Sequence, residues 1–239
     1  MTEEKIGSLI KTSLVDFPSM CSSVIFLKKC NLRCPYCYNF PLVYSKDSED
    51  FVTLSELKNH LLKRKNIIKG FVISGGEALL NPLLPEIIEY AKDLDYKIKL
   101  DTNGTLPNEL NRILSSQKTK PDFISVDIKT SPKKYDELLT EKKGNFQLGE
   151  KLLKTIEILK TLPSGNYEFR TVLVPPLIQL EDIKEIAKIL PADSSWQFSN
   201  FINKSCLNPE YEKISPYTDK EIQVFFNEAK KTIKNAALR

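Results

Sequence analysis

The chain has 239 residues, of which 41% are hydrophobic and 28% are charged, the proportions of an ordinary globular protein. This length suits one large domain, such as an α/β barrel, or two small ones, and the net charge of +4 is too mild to indicate nucleic-acid binding by itself. No apolar run reaches the roughly 18 residues of a membrane span, and the first residues lack the apolar run of a signal peptide, so we expect a cytoplasmic protein.

Predicted strands and helices alternate along the chain. Short apolar runs closed by turn residues predict strands at about residues 22–27, 70–74, 96–102, 122–128, 168–174 and 196–198. Longer amphipathic runs predict helices at about 53–65, 82–94, 108–117, 146–162, 180–190 and 218–233. Two of these helices open with the Thr-x-x-Glu form of a capping box, at Thr53 and Thr218. Polar linker residues are expected up to about residue 52, and a charged surface loop is expected over residues 130–144.

Strands that alternate with helices indicate an α/β fold with a parallel sheet covered by helices. Because the count is six rather than eight, we predict a partial, open (β/α)6 barrel, formed by a single domain over residues 1–239. Ligands gather at the carboxyl ends of the strands in such folds. Four consecutive strand ends carry polar groups and predict one site there: the cysteine loop, Ser74–Glu77, Asp101–Asn103 and Asp127–Lys129.

Five cysteines are present, an odd number, so metal or redox use is favoured over a disulfide framework. Cys30, Cys34 and Cys37 lie within eight residues, in the spacing Cys-x3-Cys-x2-Cys. Three such thiolates would hold a soft metal centre and leave one metal position open. Cys21 and Cys206 are isolated, and as buried small apolar residues they would need no function.

Zinc is the main alternative for the three close cysteines. Structural zinc takes four ligands in paired sets, and the sequence offers no second pair. The single histidine, His60, falls inside the first predicted helix and is expected to be structural or exposed. A 4Fe–4S cluster is therefore favoured, and a zinc-binding interaction module remains as the non-enzymatic alternative.

The other strand ends have both functional and structural interpretations. Gly75 and Gly76 let the backbone approach a ligand closely, or they form an ordinary strand-to-helix turn with Glu77. The carboxylates of Asp101 and Asp127 would converge and raise each other's pKa unless a cation intervenes, and Lys129 could neutralise them. The alternative for these groups is a structural ion-pair network.

The cysteine spacing after the first strand, followed by Gly75-Gly76-Glu77 after the second, resembles the radical S-adenosylmethionine (SAM) superfamily. The resemblance implies that the three cysteines bind a 4Fe–4S cluster, that SAM chelates the fourth iron, and that an electron from the cluster cleaves SAM to a 5′-deoxyadenosyl radical. Further stretches are similar to the glycyl-radical-enzyme activating enzymes, and most to those of anaerobic ribonucleoside-triphosphate reductase: residues 12–18, 34–39, 74–78, 100–104, 127–129 and 169–172.

The resemblance also implies roles for single residues. Gly75, Gly76 and Glu77 would hold the amino group of SAM, Lys129 and Arg170 would help to hold SAM, and Asp101 and Asp127 would hold a monovalent cation beside its carboxylate. Tyr38 stands where many activating enzymes have histidine, and its ring would pack beside the adenine. Tyr36, Asn39 and Asn103 are further expected cofactor-binding residues. Asp16, by itself a turn or cap residue, would meet the glycyl loop of a partner enzyme.

The predicted function is therefore that of a radical SAM oxidoreductase that abstracts hydrogen from a glycine of a partner glycyl radical enzyme. The resemblance implies one cluster, because no cysteine-rich insert follows the first strand, and an electron donor of the flavodoxin or ferredoxin type. An open alternative is a radical SAM enzyme for a small molecule, a peptide or a tRNA base, similar to 7-carboxy-7-deazaguanine synthase.

Overall fold

The computed structural model describes residues 3–44, 48–139 and 147–239. The chain divides into two compact units. The first contains the described residues up to Asn31 together with Asn39–Thr102 and Asn108–Ile124, and the second contains Leu32–Tyr38, Asn103–Pro107 and the described residues of Ser125–Arg239. The single domain expected over the whole chain stays a prediction.

Strands and helices alternate along most of the described chain. In chain order they are β1 (Lys5–Phe17), β2 (Met20–Leu27), α1 (Phe40–Val43), β3 (Phe51–Thr53), α2 (Leu54–Arg64), β4 (Gly70–Gly75), α3 (Leu84–Asp93), β5 (Lys97–Thr102), α4 (Pro107–Leu114), β6 (Phe123–Asp127), α5 (Leu148–Leu159), β7 (Tyr167–Leu173), α6 (Leu180–Ile189), β8 (Ser195–Asn200), α7 (Asp219–Lys230) and β9 (Asn235–Leu238).

In the first unit a hairpin of β1 and β2 leads into parallel strands. β1 pairs antiparallel with both β2 and β3, whereas β2, β4 and β5 run parallel to one another. Parallel strands end at the same edge of a sheet, so the residues that follow β2, β4 and β5 gather there. In the second unit, β7, β8 and β9 are also parallel.

Within the described residues, nine strands have the order β3-β1-β2-β4-β5-β6-β7-β8-β9. β3 and β9 are edge strands, so the sheet is open, and the pairs β2–β4, β4–β5, β7–β8 and β8–β9 are parallel. The predicted α/β class, with a mostly parallel open sheet and helices around it, is confirmed. Among the described residues no helix combines the length and the apolar composition needed to cross a membrane.

All six predicted strands are present, and the described residues contain three further strands, β1, β3 and β9, that were not predicted. β1 has a β-bulge and exposes Lys11 and Thr12 together, which breaks the alternation that identifies a strand. β3 and β9 have three and four residues, too few for a pattern. Pairing with neighbours, rather than local preference, makes these segments strands.

The local end signals of the helices were reliable, and the loop assignments were not. The capping boxes at Thr53 and Thr218 are both present, with reciprocal bonds to Glu56 and Glu221. The surface loop expected over residues 130–144 is wrong for Pro132–Leu138, a 3₁₀ turn in which Tyr135 and Leu138 are fully buried. The rest of that loop from residue 140, and the predicted helix start at 146, lie outside the described residues.

Candidate functional site

In the first unit, the ends of β2 and β4 are joined beyond their last paired residues. The amide of Gly76 donates to the carbonyl of Leu27 at 3.0 Å, and the amide of Glu77 donates to the carbonyl of Lys29 at 2.8 Å. These two bonds continue the sheet pairing past the end of the strands. They therefore define the path of the backbone that leads into Cys30.

Gly75 and Gly76 are required by this close packing. Gly75 has a φ of +132°, and a Cβ there would lie 2.2 Å from the carbonyl oxygen of Leu27. A Cβ on Gly76 would lie 2.1 Å from the carbonyl oxygen of Lys29 and 3.0 Å from the Cβ of Cys30. Gly75 therefore allows β4 to lie close to the end of β2, and Gly76 allows the backbone after β4 to lie close to the start of the cysteine loop. The sequence did not indicate these backbone contacts.

Glu77 joins two strand ends. Its side chain is buried, and its Oε1 accepts from the hydroxyl of Thr102 at 2.8 Å and from the amide of Leu79 at 3.1 Å. The second bond caps the 3₁₀ turn Ala78–Leu80. The bond to Leu79 agrees with the interpretation of Glu77 as part of a turn. The bond to Thr102 was not indicated by the sequence.

Asp101 has a cation of its own within the first unit. The Nζ of Lys99 lies 2.5 Å from its Oδ1, and the two side chains are only 1% and 12% exposed. Alternate residues of a strand share a face, so a lysine two positions before an aspartate was a usable signal, hidden by the apolar residues on either side. Asn39 lies elsewhere in this unit, before α1, where its carbonyl accepts from the amide of Leu42 at 3.1 Å.

In the second unit, neighbouring backbone anchors the segment Leu32–Tyr38. The amide of Arg33 donates to the carbonyl of Leu138 at 2.8 Å, and the amide of Leu207 donates to the carbonyl of Cys37 at 2.9 Å. Leu138 and Leu207 come from chain segments that the sequence analysis did not connect with the cysteines. The loop that carries two of the three thiols is therefore held by tertiary contacts on both sides.

Aromatic rings surround these two thiols. Cys34 and Tyr36 are buried, and the ring of Tyr36 packs edge-on against Phe201 with their centroids 6.5 Å apart. Burial raises the pKa of the Tyr36 phenol well above its ordinary value, so this ring is neutral at physiological pH. Tyr38, by contrast, is 67% exposed, although its phenol interacts electrostatically with Asp127 and with Cys37.

Asp127 is the centre of an ion-pair cluster in the second unit. Its Oδ1 accepts from Nε of Arg170 at 2.8 Å, and its Oδ2 lies 3.5 Å from Nζ of Lys129. The hydroxyl of Tyr135 accepts from the amide of Lys129 at 3.0 Å and donates to the carbonyl of Asp127 at 3.1 Å. The predicted association of Asp127 with Lys129 is observed, and Tyr135 is a further member of the cluster that the sequence did not indicate.

Lys129 remains a cation in this environment. Burial by itself would lower the pKa of its ammonium, but the acidic groups around it, of which the Asp127 carboxylate is the one charged at physiological pH, raise that pKa well above its ordinary value. With Arg170, two protonated side chains face one carboxylate. Lys129 and Arg170 are thus two cations close together, and such groups can bind an anionic ligand group.

Replacing Tyr135 with phenylalanine tests the importance of this cluster for folding. The variant loses the bridge between Lys129 and Asp127 and leaves a backbone amide unsatisfied, so its free energy of unfolding should fall by about 2 kcal/mol in urea denaturation. Tyr217→Phe, which removes only a bond to the carbonyl of Ile178, should cost less. Equal losses in the two variants would contradict the bridging role.

The remaining predicted residues occupy ordinary structural positions. Asn103 is buried, and its Oδ1 accepts from the amide of Thr105 at 3.0 Å, closing a turn. Asp16 lies in the irregular end of β1, where its Oδ2 accepts from the hydroxyl of Ser13 at 2.5 Å. His60 is partly buried, with Nε2 2.9 Å from the hydroxyl of Ser23, as the structural expectation required.

The two isolated cysteines differ from each other. Cys206 is buried, and burial together with Glu212 raises the pKa of its thiol, which makes it a poor thiolate. Cys21 is only partly buried, so the expectation of burial was wrong for it.

Comparison with known proteins identifies the family. The sequence profile of the radical SAM superfamily matches residues 24–190. The chain belongs to the radical SAM superfamily. Over 235 residues it is also 30% identical to a protein of Methanocaldococcus jannaschii with a provisional name as a glycyl-radical enzyme activating enzyme, covering 98% of this chain and 95% of that one. This radical SAM protein is therefore an enzyme of the glycyl-radical activase type.

Two further similarities agree with the family. The chain is 30% identical over 197 residues to the pyruvate formate-lyase-activating enzyme of Clostridium pasteurianum, covering 80% of this chain and 77% of that enzyme. The crystal structure of SuiB from Streptococcus suis bound to S-adenosylmethionine superposes with a TM-score of 0.63 and 17% identity, over 90% of this chain and 49% of SuiB. The second similarity concerns the fold alone.

The family implies a 4Fe–4S cluster and SAM, and the residues present fit these groups. The three closely spaced cysteines supply the thiolate donors that iron–sulfur clusters take. The backbone that leads into the first of them is held against Gly76, and the segment with the other two is anchored by Leu138 and Leu207. The exposed ring of Tyr38 and the cations Lys129 and Arg170 beside Asp127 are groups that can bind an aromatic, carboxylate-bearing ligand.

Proposed function

We propose that this enzyme activates a partner glycyl radical enzyme, specifically an anaerobic ribonucleotide reductase. The observation that carries the activase function is the 30% identity to a glycyl-radical enzyme activating enzyme over nearly the whole of both chains. The reductase is proposed as the partner because stretches such as residues 34–39 and 100–104 are most similar to those of its activating enzymes. When bound, the cluster would pass one electron to SAM, the bond between sulfur and C5′ would break to release methionine, and the resulting 5′-deoxyadenosyl radical would take a hydrogen atom from a glycine Cα.

The cysteines would hold the cluster in this proposal. Cys30, Cys34 and Cys37 would each donate a thiolate to one iron, which leaves the fourth iron for SAM. The anchoring bonds at Gly76, Arg33 and Leu207 support the role, because a cluster needs a loop whose thiols do not drift.

The side chains around SAM would orient it. Lys129 and Arg170 would hold its carboxylate, and their position as two neighbouring cations beside Asp127 supports this role. Tyr38 would cover the adenine with its exposed ring. We place the SAM amino group near the backbone of Gly75–Glu77, and we include Tyr36, Asn39, Asn103 and Asp101 among the cofactor-binding residues.

A protein substrate needs an accessible surface, and Asp16 is the residue that we propose for it. Next to Asp16 the side chains of Leu14 and Val15 are 79% and 69% exposed. The carboxylate of Asp16 accepts from the hydroxyl of Ser13, and the backbone amides of Val15 and Asp16 donate to the same hydroxyl, which stabilises the irregular strand end. We further propose a flavodoxin or ferredoxin-type electron donor and a cytoplasmic location, the latter because cysteine-bound clusters need a reducing compartment.

The test is the formation of a glycyl radical in a partner enzyme. The anaerobically reconstituted protein, SAM and a reductant would be mixed with anaerobic ribonucleotide reductase or, separately, with pyruvate formate-lyase. We expect the doublet of a glycyl radical by EPR with the reductase, and 5′-deoxyadenosine in matching amount.

A control variant and an alternative partner decide how a radical signal is interpreted. The Cys34→Ser variant should give no radical with either partner, which excludes radical formation by the reductant alone. A radical in pyruvate formate-lyase only would exclude the proposed partner while keeping the activase function. No radical in any glycyl radical enzyme, together with turnover of a small molecule or tRNA, would overturn the activase function itself.

A further inference from the structure

The buried lysine on β5 is a feature that the proposed function does not use. In the sheet register Val24 pairs with Val72, and Val72 pairs with Lys99, so the three side chains occupy one row. Val24 and Val72 belong to an apolar cluster with Phe17, and Lys99 itself is 0% exposed. A lysine in such a row buries its aliphatic stem and must find a partner for its ammonium group.

That partner is Asp101. Two positions further along β5, on the same face, its Oδ1 lies 2.5 Å from the Nζ of Lys99. A charge-assisted bond between two shielded side chains is stronger than a neutral one, and breaking it would take this partner away from the buried ammonium group of Lys99. The positive charge that faces Asp101 therefore comes from a side chain of the same strand.

Asp127, the other carboxylate that the sequence assigned to a monovalent cation, is also compensated. Within the second unit it has Arg170 at 2.8 Å and Lys129 at 3.5 Å. A hydrated sodium or potassium ion would have to compete with an ammonium group at one carboxylate and with a guanidinium and an ammonium group at the other. The residues present do not fit a monovalent cation.

We propose that Lys99 supplies at Asp101 the positive charge that a monovalent cation was expected to supply, so that SAM binding is independent of sodium and potassium. The inference rests on the proposed function, in that SAM must bind. In this role Lys99 is a positioning residue, since it acts through Asp101 and not on the reacting atoms.

The experiment measures SAM affinity by calorimetry on the anaerobically reconstituted protein. Sodium, potassium and tetramethylammonium chloride would be compared at equal ionic strength, because the organic cation is too large to occupy a carboxylate site. For the unmodified protein we expect dissociation constants equal within about twofold. For Lys99→Met we expect binding weaker by about tenfold or more in tetramethylammonium and largely restored by sodium or potassium.

Two matched variants separate this role from general effects of charge and folding. Lys97→Met removes a lysine from the same strand, but one that is 60% exposed and paired with Asp122, and it should leave SAM binding insensitive to the salt. Lys99→Arg keeps the positive charge, so its affinity for SAM should remain independent of sodium and potassium. If Lys99→Met fails to fold, the salt dependence of SAM binding to the unmodified protein and to Lys99→Arg still tests the proposal.

The outcomes are distinct from those of the proposed function. SAM binding to the unmodified protein that requires sodium or potassium would overturn the role of Lys99, and so would a Lys99→Met variant that binds equally well in all three salts. Absence of SAM binding in every salt would instead overturn the proposed function, and the inference with it.

Discussion

Replacing Cys34 with serine is expected to abolish cluster assembly and SAM cleavage together. A serine hydroxyl is a poor ligand for the iron of a cluster, and Cys34 is one of three closely spaced thiols with no obvious substitute nearby in the sequence. After anaerobic reconstitution, iron and sulfide should fall to the background of the untreated protein. 5′-Deoxyadenosine formed with dithionite should fall to the level of a reaction without protein.

The matched control is Cys21→Ser. Cys21 is a partly buried cysteine on β2, outside the group of three, so its replacement should leave iron, sulfide and SAM cleavage unchanged. The assignment would be contradicted by a Cys34→Ser variant that keeps its iron and loses only the interaction with a partner. Zinc as the sole metal bound by the unmodified protein, without SAM cleavage, would favour the interaction module considered from the sequence.

The second large effect is expected for Gly76→Ala. An added Cβ would lie 2.1 Å from the carbonyl oxygen of Lys29 and 3.0 Å from the Cβ of Cys30, so the backbone must shift at the point where the cysteine loop begins. We expect the free energy of unfolding to fall by about 3 kcal/mol, in the range of substitutions that force backbone atoms apart. Because the displaced loop misplaces Cys30, iron incorporation should fall as well.

Gly165→Ala is the control for this substitution. A Cβ on Gly165 meets no atom within 4 Å, so the free energy of unfolding should change by no more than about 0.5 kcal/mol. Urea denaturation followed by circular dichroism measures both variants. If the two alanine variants were equally stable and bound equal amounts of iron, the contact between Gly76 and the cysteine loop would be unimportant for the site.

Structural features that depend on residues close together in sequence were predictable. The capping boxes at Thr53 and Thr218 are present because a cap depends on a residue and its neighbour three positions on. The buried parallel strands were predictable for a similar reason, since each is a short apolar run between turn residues. Pro132–Leu138 was mistaken for a surface loop, because its charged residues concealed Tyr135 and Leu138, which tertiary packing buries.

The roles of residues at the strand ends depended on strand pairing and on burial, neither of which the sequence shows directly. Gly75 and Gly76 were identified as special, but the atoms that require them belong to Leu27 and Lys29, which only the pairing of β2 with β4 brings near. Asp101 was expected to need a cation, and the protein supplies one from Lys99, whose burial cannot be read from an alternation of apolar and charged letters.

By itself, the sequence determined the chemistry: three thiols at cluster spacing on one loop, and a set of motifs similar to those of activating enzymes. Ligand type and spacing are local properties, so they survive without knowledge of the fold. The tertiary structure alone decided that Arg170 joins Lys129 at Asp127, and that Lys99 is buried against Asp101. Coulomb interactions depend on distance and burial, and both are set by how the strands pair and pack.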